Sequence, residues 1–343
     1  MITNVFSRTA RAISLAAALA TPFAALAHNN PGYSHDSGPG GNYSKPSWMG
    51  ALADGRKISE LSVPGSHDTM SHHGGDIAKT QSMPLATQLN SGIRALDIRC
   101  RHVKNGFPIY HGIIDQKADF RDVLNTAQAF LKANPRETIL MRVKEEHTPD
   151  GNTRTFEQTF EDYVAKYPGL FWTGTGTNPT LGEVRGKIVV LQDFRPATKT
   201  WGLMWNTFDI QDDFSVKTNW DLEGKWNKVS AQVQDAFRGD ANKVYVNFLS
   251  ASGGSFPYFI ASGHSSPGTG APRLATGKTT PGWKNCCKMF PRVNCAIGIC
   301  TIAFEGTNTL MYDTLKTLGI GRVGIIYADF PGYGLIDEII KRN

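Results

Sequence analysis

Short apolar runs rich in valine and isoleucine alternate with longer runs of helical apolar spacing along most of this chain. Residues 138–144 and 187–191 are predicted to be strands, whereas the apolar residues of 119–133 recur on one face of a helix. Strands that alternate with helices pair in parallel, and continuous apolar strands lie in sheets covered on both faces. Roughly eight such strands favour a closed (β/α)₈ barrel of the TIM type over an open sheet. We therefore expect an α/β protein with a single domain over residues 46–343.

Polar and charged side chains gather where these strands are predicted to end. In the stretch Val63–Thr69, Pro64 and Gly65 predict a tight turn after a β-prone run over 58–62. Such a turn presents His67 and Asp68 at the carboxyl end of a strand, which is where barrel enzymes place their chemistry. The other candidates follow later strands: Asp97, Arg99, His111, Lys144, Asp193, Asp212 and Asp329.

Two imidazoles that flank an arginine suit phosphoryl transfer. One imidazole can take a proton from a nucleophilic hydroxyl while the other gives a proton to the leaving alcohol. The guanidinium can meet the phosphate oxygens with two parallel hydrogen bonds. Each residue alone has a plainer interpretation, since Lys144 could reach the surface and Asp329 could belong to a turn. Their joint position at one end of a barrel favours catalysis.

These residues also carry a resemblance to a known family. The matching segments, in chain order, are Val63–Asp68, Gly92–Arg99, Tyr110–Gly112, Phe130–Ile139 with Lys144, Leu181–Val189, Tyr245–Phe248, and Arg322 with Asp329. The set resembles the catalytic X domain of the secreted bacterial phosphatidylinositol-specific phospholipases C over residues 50–340. The insertion 262–306 has no counterpart in the smaller members. The resemblance implies a distorted (β/α)₈ barrel.

The resemblance also implies an intramolecular first step. His67 would be the general base for the inositol 2-hydroxyl. His111, helped by Asp68, would be the general acid for the diacylglycerol oxygen. The products would be diacylglycerol and inositol 1,2-cyclic phosphate, with slower hydrolysis to inositol 1-phosphate. Holding the nucleophile and the phosphorus in one substrate exploits proximity, which is worth on the order of 7–11 kcal/mol when the geometry is good.

Three further residues would support this step by the same resemblance. Arg99 would stabilise the phosphate, and Asp329 would orient His67. Asp97 would support Arg99 or His111.

Metal independence is expected from the charges near the second and fourth strands. Relatives that use calcium carry acidic ligands where this chain has Arg99 and Lys144. Two fixed cations repel a divalent ion, so no metal or other cofactor is expected. Glu145 and Glu146 are the main objection, but strand alternation lets only one of them face the barrel.

For the headgroup, the resemblance gives Lys144 and Asp212 as partners of the inositol hydroxyls and Phe259 as a ring stacked on the sugar. Asp193 stands where relatives have an arginine that binds those hydroxyls. The change reverses a charge, so the hydroxyl specificity is expected to differ and ring-phosphorylated substrates to be disfavoured. Phosphatidylinositol and glycosyl-phosphatidylinositol anchors both remain open as substrates.

The amino terminus predicts export. Arg8 and Arg11 precede an apolar run, and Ala25–Ala27 fits a small-residue cleavage site, so residues 1–27 are predicted to be a signal peptide. Residues 28–45 are poor in apolar side chains and are expected to be a flexible leader. A secreted or periplasmic monomer is expected. The full chain has a formal net charge of +6, and removal of Arg8 and Arg11 leaves +4, which fits transient contact with an anionic membrane surface; no basic stripe points to nucleic acid.

The long insertion 262–306 carries most of the cysteines. In an oxidising compartment Cys286, Cys287, Cys295 and Cys300 are expected to form two disulfides, whose pairing stays open. The adjacent pair lacks the C-x-x-C spacing of zinc sites. Cys100 lies in an apolar strand and is expected to be a buried thiol. Apolar residues in or near the insertion could contact lipid or form a private core: Phe256, Trp283, Phe290, Ile297 and Ile299.

Three alternatives remain from the sequence. A glycerophosphodiester-type phosphodiesterase needs an acidic metal triad, for which Arg99 is badly placed. A glycosidase needs two facing carboxylates and would leave both histidines unused. A catalytically inactive inositide-binding module is disfavoured because His67, His111 and Arg99 are all present.

Overall fold

The computed structural model describes residues 31–34, 43–263 and 305–343, together with the backbone of 278–279, 292–296 and 299–303. Its strands are β1 Val63–Ser66, β2 Ala95–Cys100, β3 Pro108–His111, β4 Ile114–Asp119, β5 Ile139–Glu145, β6 Ile188–Asp193, β7 Leu203–Met204, β8 Asp209–Gln211, β9 Ser215–Val216, β10 Tyr245–Phe248, β11 Ser252–Gly253, β12 Lys278–Thr279, β13 Arg292–Ala296, β14 Ile299–Ala303 and β15 Ile325–Ala328. Its helices are α1 Leu85–Asn90, α2 Phe120–Ala133, α3 Phe156–Lys166, α4 Leu181–Val184, α5 Leu222–Arg238, α6 Pro257–Ser262, α7 Thr307–Thr317 and α8 Tyr333–Ile340.

Parallel strands curl into a barrel wall that follows chain order. The hydrogen-bonded order is β7, β6, β5, β2, β1, β15, β10, β8, and each pairing along this path is parallel. β3 pairs antiparallel with the end of β2 and forms a hairpin with β4. β7 and β8 follow one another in the chain, yet no ladder joins them in the described part of the molecule. The predicted distorted (β/α)₈ barrel is confirmed, with its opening between β7 and β8.

Strand β5 shows how the pattern of residues builds both the core and the site. Ile139, Met141 and Val143 face outwards into the core that the surrounding helices cover. Burying each of these side chains stabilises the fold by about 1.5–3 kcal/mol. Because side chains alternate along a strand, Arg142 and Lys144 point to the barrel interior.

The run before β1 forms a different element from the one predicted. Residues Ile58–Glu60 form a 3₁₀ helix, and the strand is Val63–Ser66 itself. The Glu60 carboxylate accepts a hydrogen bond from the Lys57 backbone N–H at 2.7 Å, which favours the helical turn. Ile58 still packs into the core, so its β propensity was overridden by local capping.

The leader prediction was wrong for residues 31–34. Tyr33 is fully buried, and it forms a backbone bridge with Pro331. The Ser34 backbone N–H donates to the Phe330 carbonyl at 2.9 Å. The burial of Tyr33 and these backbone contacts place residues 31–34 against the barrel.

Several predictions lie outside the described residues. These include the signal peptide 1–27 and the side chains of the four clustered cysteines, and with them both the disulfides and the lipid contacts of the insertion. The backbone of the insertion contains one antiparallel sheet of β12, β14 and β13. Cys100 is buried and unpaired, as predicted. In the described residues, no helix is long and apolar enough to cross a membrane.

Candidate active site

A rigid turn after β1 presents the first two candidate residues. The His67 backbone N–H continues the ladder to the Ala328 carbonyl at 3.1 Å. The Thr69 hydroxyl donates to the Ser66 carbonyl at 2.9 Å and accepts from the Asp97 backbone N–H at 2.8 Å, which ties this turn to β2. Asp68 lies between them at φ 42, a left-handed conformation that aspartate tolerates.

His67 is held at both ring nitrogens. Its Nδ1 lies 2.7 Å from Asp329 Oδ1, and its Nε2 lies 2.7 Å from Arg99 Nη2. A guanidinium can only donate, so Nε2 must carry a lone pair and Nδ1 the proton. Asp329 is therefore an acceptor, and the Nε2 lone pair of His67 accepts the hydrogen bond from Arg99. Burial and the neighbouring Arg99 lower the pKa of His67 well below its usual value.

Asp329 follows β15 directly and is almost fully buried. Burial raises the pKa of its carboxyl, whereas the charges of Arg99 and Lys225 oppose that shift. The next residue, Phe330, has φ 45, which is unusual for a bulky side chain. Asn308 donates to the Asp329 carbonyl at 2.7 Å, so this strained turn is tied down.

Arg99 lies at the centre of the cluster. Its Nη2 donates to Asp97 Oδ2 at 2.9 Å, and its Nη1 pairs with Asp68 Oδ2 at 3.0 Å. Glu146 Oε1 lies 4.0 Å from Nη1. Burial lowers the pKa of this guanidinium, but the carboxylates of Asp68 and Asp97 outweigh burial and raise it overall. The cation thus fills the space between three acidic side chains.

His111 reaches the same cluster from the end of β3. Its Nδ1 lies 2.7 Å from the Ala78 carbonyl, which can only accept, so Nδ1 carries a proton. Its Nε2 lies 3.4 Å from Asp68 Oδ2. Burial raises the pKa of Asp68 to about 6, against the opposing charges of Arg99 and His111. A proton on Nε2 would therefore face an acidic partner.

Comparison with known proteins places this geometry in a family. The family described as phosphatidylinositol-specific phospholipase C, X domain, matches residues 50–193. A 1-phosphatidylinositol phosphodiesterase of Staphylococcus aureus is 35% identical over 272 residues, which cover 70% of this chain and 87% of that protein. The chain belongs to the phosphatidylinositol-specific phospholipase C family. A 1-phosphatidylinositol phosphodiesterase of Listeria monocytogenes is also 35% identical to this phospholipase, over 61% of this chain and 69% of that protein.

Solved structures agree with this assignment. The phosphatidylinositol-specific phospholipase C of Listeria monocytogenes superposes with a TM-score of 0.64 at 29% identity, covering 88% of this chain and 99% of that one. A Staphylococcus aureus phosphatidylinositol-specific phospholipase C, described for the modulation of its membrane binding, gives a TM-score of 0.65 at 26% identity and covers 88% and 98%.

The site of this phospholipase contains a second arginine, Arg142, that the sequence reasoning missed. Arg142 donates from Nη1 to Asp97 Oδ1 at 3.2 Å and from Nη2 to Asp193 Oδ2 at 2.6 Å. Its guanidinium also stacks over the Trp205 ring, 4.3 Å from the centroid. The position of Arg142 two residues before Lys144 in the same strand was the signal that could have found it.

Lys144 and Asp193 lie on one rung of the barrel, beside Arg99. Lys144 Nζ donates to Glu146 Oε2 at 2.8 Å, and Glu146 Oε1 accepts from the Gly112 backbone N–H at 2.9 Å. Glu146, and not Glu145, therefore contacts the site. The hairpin that bears His111 is fixed to β5 by these bonds.

The predicted role of Phe259 is wrong for this phospholipase. Its side chain is 1% exposed and packs in the core with Leu310 and Met311, so it cannot stack on a sugar in the cleft. Asp212, in contrast, follows β8 with an exposed side chain, and Phe214 two residues later is 68% exposed. Phe214 is the described aromatic ring nearest in sequence to this proposed headgroup residue.

The described residues contain no group of three or more His, Cys, Asp or Glu side chains arranged to hold a metal ion. Asp68, Asp97 and Glu146 converge, but the Arg99 guanidinium lies among them. A divalent ion at the same place would meet that fixed positive charge. Metal independence stays a prediction, which chelation tests.

Proposed function

We propose that this phospholipase cleaves phosphatidylinositol into diacylglycerol and inositol 1,2-cyclic phosphate. The observation that carries the proposal is a continuous chain of contacts from His67 through Arg99 and Asp68 to His111. It supports the placement of a base, a phosphate-binding cation and an acid around one phosphorus. The names of the relatives support phosphatidylinositol as the substrate.

The first half of the step is proton removal and attack. The inositol 2-hydroxyl replaces Arg99 as the partner of His67 Nε2, which takes the hydroxyl proton while the hydroxyl oxygen forms a new bond to phosphorus. The Asp329 carboxylate holds the Nδ1 proton and stabilises the imidazolium that results. The low pKa of His67 means that its base form is present at neutral pH.

The second half is departure of the alcohol. The bond from phosphorus to the glycerol oxygen breaks, and His111 Nε2 gives its proton to that oxygen. Asp68 pairs with Arg99 and lies 3.4 Å from His111 Nε2, so it connects the acid to the phosphate site. Arg99 stabilises the charge on the non-bridging oxygens, a contribution that is worth about 10²–10³ in rate in comparable sites. Slower hydrolysis to inositol 1-phosphate would use the same two histidines in reversed roles.

Headgroup binding is proposed for Lys144, Asp193 and Asp212. Asp193 stands where the family resemblance places an arginine, and Arg142 now supplies that charge from the neighbouring strand. In this pair Arg142 donates to the Asp193 carboxylate, and the same carboxylate can accept hydrogen bonds from the inositol hydroxyls. Free phosphatidylinositol and glycosyl-phosphatidylinositol anchors are both compatible with these groups.

Transient contact with a membrane surface is proposed from exposed apolar side chains near the cleft. Ile113 lies in the turn after His111 and is 77% exposed, and Ile77 is 65% exposed. Together with Phe214 they offer apolar groups that can enter the lipid interface. The Staphylococcus aureus relative described for its membrane binding supports this part of the proposal. Secretion is proposed from the leader pattern of residues 1–27.

The decisive experiment measures water-soluble inositol phosphate released from phosphatidylinositol vesicles, with and without EDTA. We expect cyclic inositol phosphate as the first product, at a rate that EDTA does not change. A glycerophosphodiesterase would instead release glycerol 3-phosphate from deacylated substrate and would lose activity in EDTA. Absence of any product from phosphatidylinositol would refute the proposal.

A further inference from the structure

Lys225 lies on α5 with its side chain inside the protein. It is 1% exposed, and burial lowers the pKa of its ammonium to about 8. Within the described residues its ammonium donates to the neutral amide oxygen of Gln211, at 3.2 Å. A buried charge with a neutral partner is destabilising. No step of the proposed reaction uses it directly.

Gln211 links this lysine to the turn that presents Asp212. The same Oε1 that accepts from Lys225 also accepts from the backbone N–H of Asp213 at 2.8 Å. The turn Gln211–Asp213 is thereby closed around the exposed carboxylate of Asp212. Lys225 holds the side chain that closes the turn.

The other end of the Gln211 amide reaches towards the catalytic base. Its Nε2 donates to Asn247 Oδ1 at 2.8 Å and to the Phe248 carbonyl at 2.9 Å. The Phe248 ring meets the His67 ring edge to face, with centroids 5.8 Å apart. Hydrogen bonds from Gln211 thus connect the turn that bears Asp212 to β10, and the Phe248 ring of β10 packs against His67.

The charges that face Lys225 show which carboxylate it serves. They are Asp212, Asp213, Asp329 and Lys228. Asp213 is paired with Lys228 at 2.7 Å, and Asp329 is held by His67. Burial raises the pKa of the Asp212 carboxyl, and the charges of Arg142, Lys225 and Arg99 oppose that shift. Arg142 and Arg99 are also paired with Asp97, whereas the bond of Lys225 to Gln211 ties it to the Asp212 turn.

We propose that Lys225 is a positioning residue for headgroup binding: it holds the Gln211–Asp213 turn and balances the charge of Asp212, which accepts the inositol hydroxyls. The proposal rests on the proposed function of the site. The buried ammonium of Lys225 destabilises the fold and supports the substrate-binding Asp212. Such a conflict between stability and function is common.

A double-mutant cycle tests it, with Lys225→Met, Asp212→Asn and the combined variant. The substrate is a short-chain phosphatidylinositol below its micellar concentration, so that lipid binding does not enter. We expect Lys225→Met to raise KM about tenfold with a smaller change in kcat, and the combined variant to lose no more than Asp212→Asn alone. The melting temperature of Lys225→Met should equal or exceed that of the wild type, because an apolar side chain replaces a buried charge.

Lys228→Met is the matched control. It removes a lysine from the same helix, but its side chain is 60% exposed and faces Asp213, so KM should change less than twofold. If Lys225→Met does not fold, Lys225→Gln takes its place in the cycle; it keeps a donor for Gln211 and removes the charge, so it tests the balancing of Asp212.

Losses that multiply in the combined variant would overturn the inference, and so would a Lys225→Met enzyme within twofold of wild type. A lowered melting temperature with proportionate loss in kcat would assign Lys225 a purely structural role. Failure of the wild type to cleave phosphatidylinositol would refute the proposed function instead, which keeps the two outcomes separate.

Discussion

The two histidines of the site are held in different ways. His67 has a carboxylate on one nitrogen and a guanidinium on the other, both at 2.7 Å. His111 has a backbone carbonyl at 2.7 Å on Nδ1 and the Asp68 carboxylate at 3.4 Å on Nε2. In the first arrangement the Nε2 lone pair faces a cation, and in the second Nε2 faces an anion.

That difference assigns the two roles without reference to sequence order. A base next to a guanidinium resists protonation, whereas an acid next to a carboxylate retains its proton. Arg99 and Asp68 are paired with each other, so one ion pair contacts both histidines. Each prediction below challenges one side of this comparison.

The largest expected effects come from His67→Ala and His111→Ala, each of which should lower kcat on phosphatidylinositol about 10³-fold. The two should separate on a substrate whose leaving group is an acidic phenol, because such a group departs without a proton. His111→Ala should then recover most of its rate and His67→Ala none. Equal recovery of both variants would contradict the assignment of His67 as the base and His111 as the acid.

Arg99→Lys should lower kcat about 10²-fold. A lysine supplies one ammonium where the guanidinium contacts His67 and Asp68 with two different nitrogens. Steady-state kinetics and melting temperature should be measured together. A loss smaller than tenfold in a fully folded enzyme would show that the forked geometry is not required.

Asp329 contacts His67 more closely than Asp68 contacts His111, so we expect a larger loss of kcat when Asp329 is replaced. Asp329→Asn should cost about 10²-fold in kcat, because an amide can present the wrong hydrogen-bonding atom to His67 Nδ1. Asp68→Asn should cost about tenfold and should be rescued by the acidic leaving group, as for His111→Ala. If the acidic leaving group rescued Asp329→Asn and not Asp68→Asn, the roles assigned to the two carboxylates would be reversed.

The smallest expected effect is on stability. The folded pKa of His67 lies below its unfolded value of about 6.5, so the unfolded chain binds more protons as the pH falls through that value. The stability that neutral His67 contributes is present above pH 6.5 and is lost below it. His67→Gln should therefore show a flatter dependence of melting temperature on pH between 7 and 5. Parallel curves for variant and wild type would contradict the lowered pKa.

Local patterns were enough to predict most of the barrel and the chemical groups of the site. Apolar strands marked the sheet, and strand-end polar residues marked His67, Arg99 and His111, which the structure brings together. These features depend on periodicity and on residues adjacent to strand ends.

What the sequence did not predict depends on packing between distant segments. Arg142 pairs with Asp193 from another strand, 51 residues away in the chain, and no local pattern records that distance. Phe259 has the right chemistry for stacking, but its helix turns it into the core. Tyr33 is buried because a slot beside Pro331 receives it, which composition cannot reveal.

The missing ladder between β7 and β8 has a consequence for the width of the headgroup site. Asp193, at the end of β6, and Asp212, after β8, lie on opposite sides of the opening between β7 and β8. Their spacing can therefore adjust without breaking any strand-to-strand hydrogen bond.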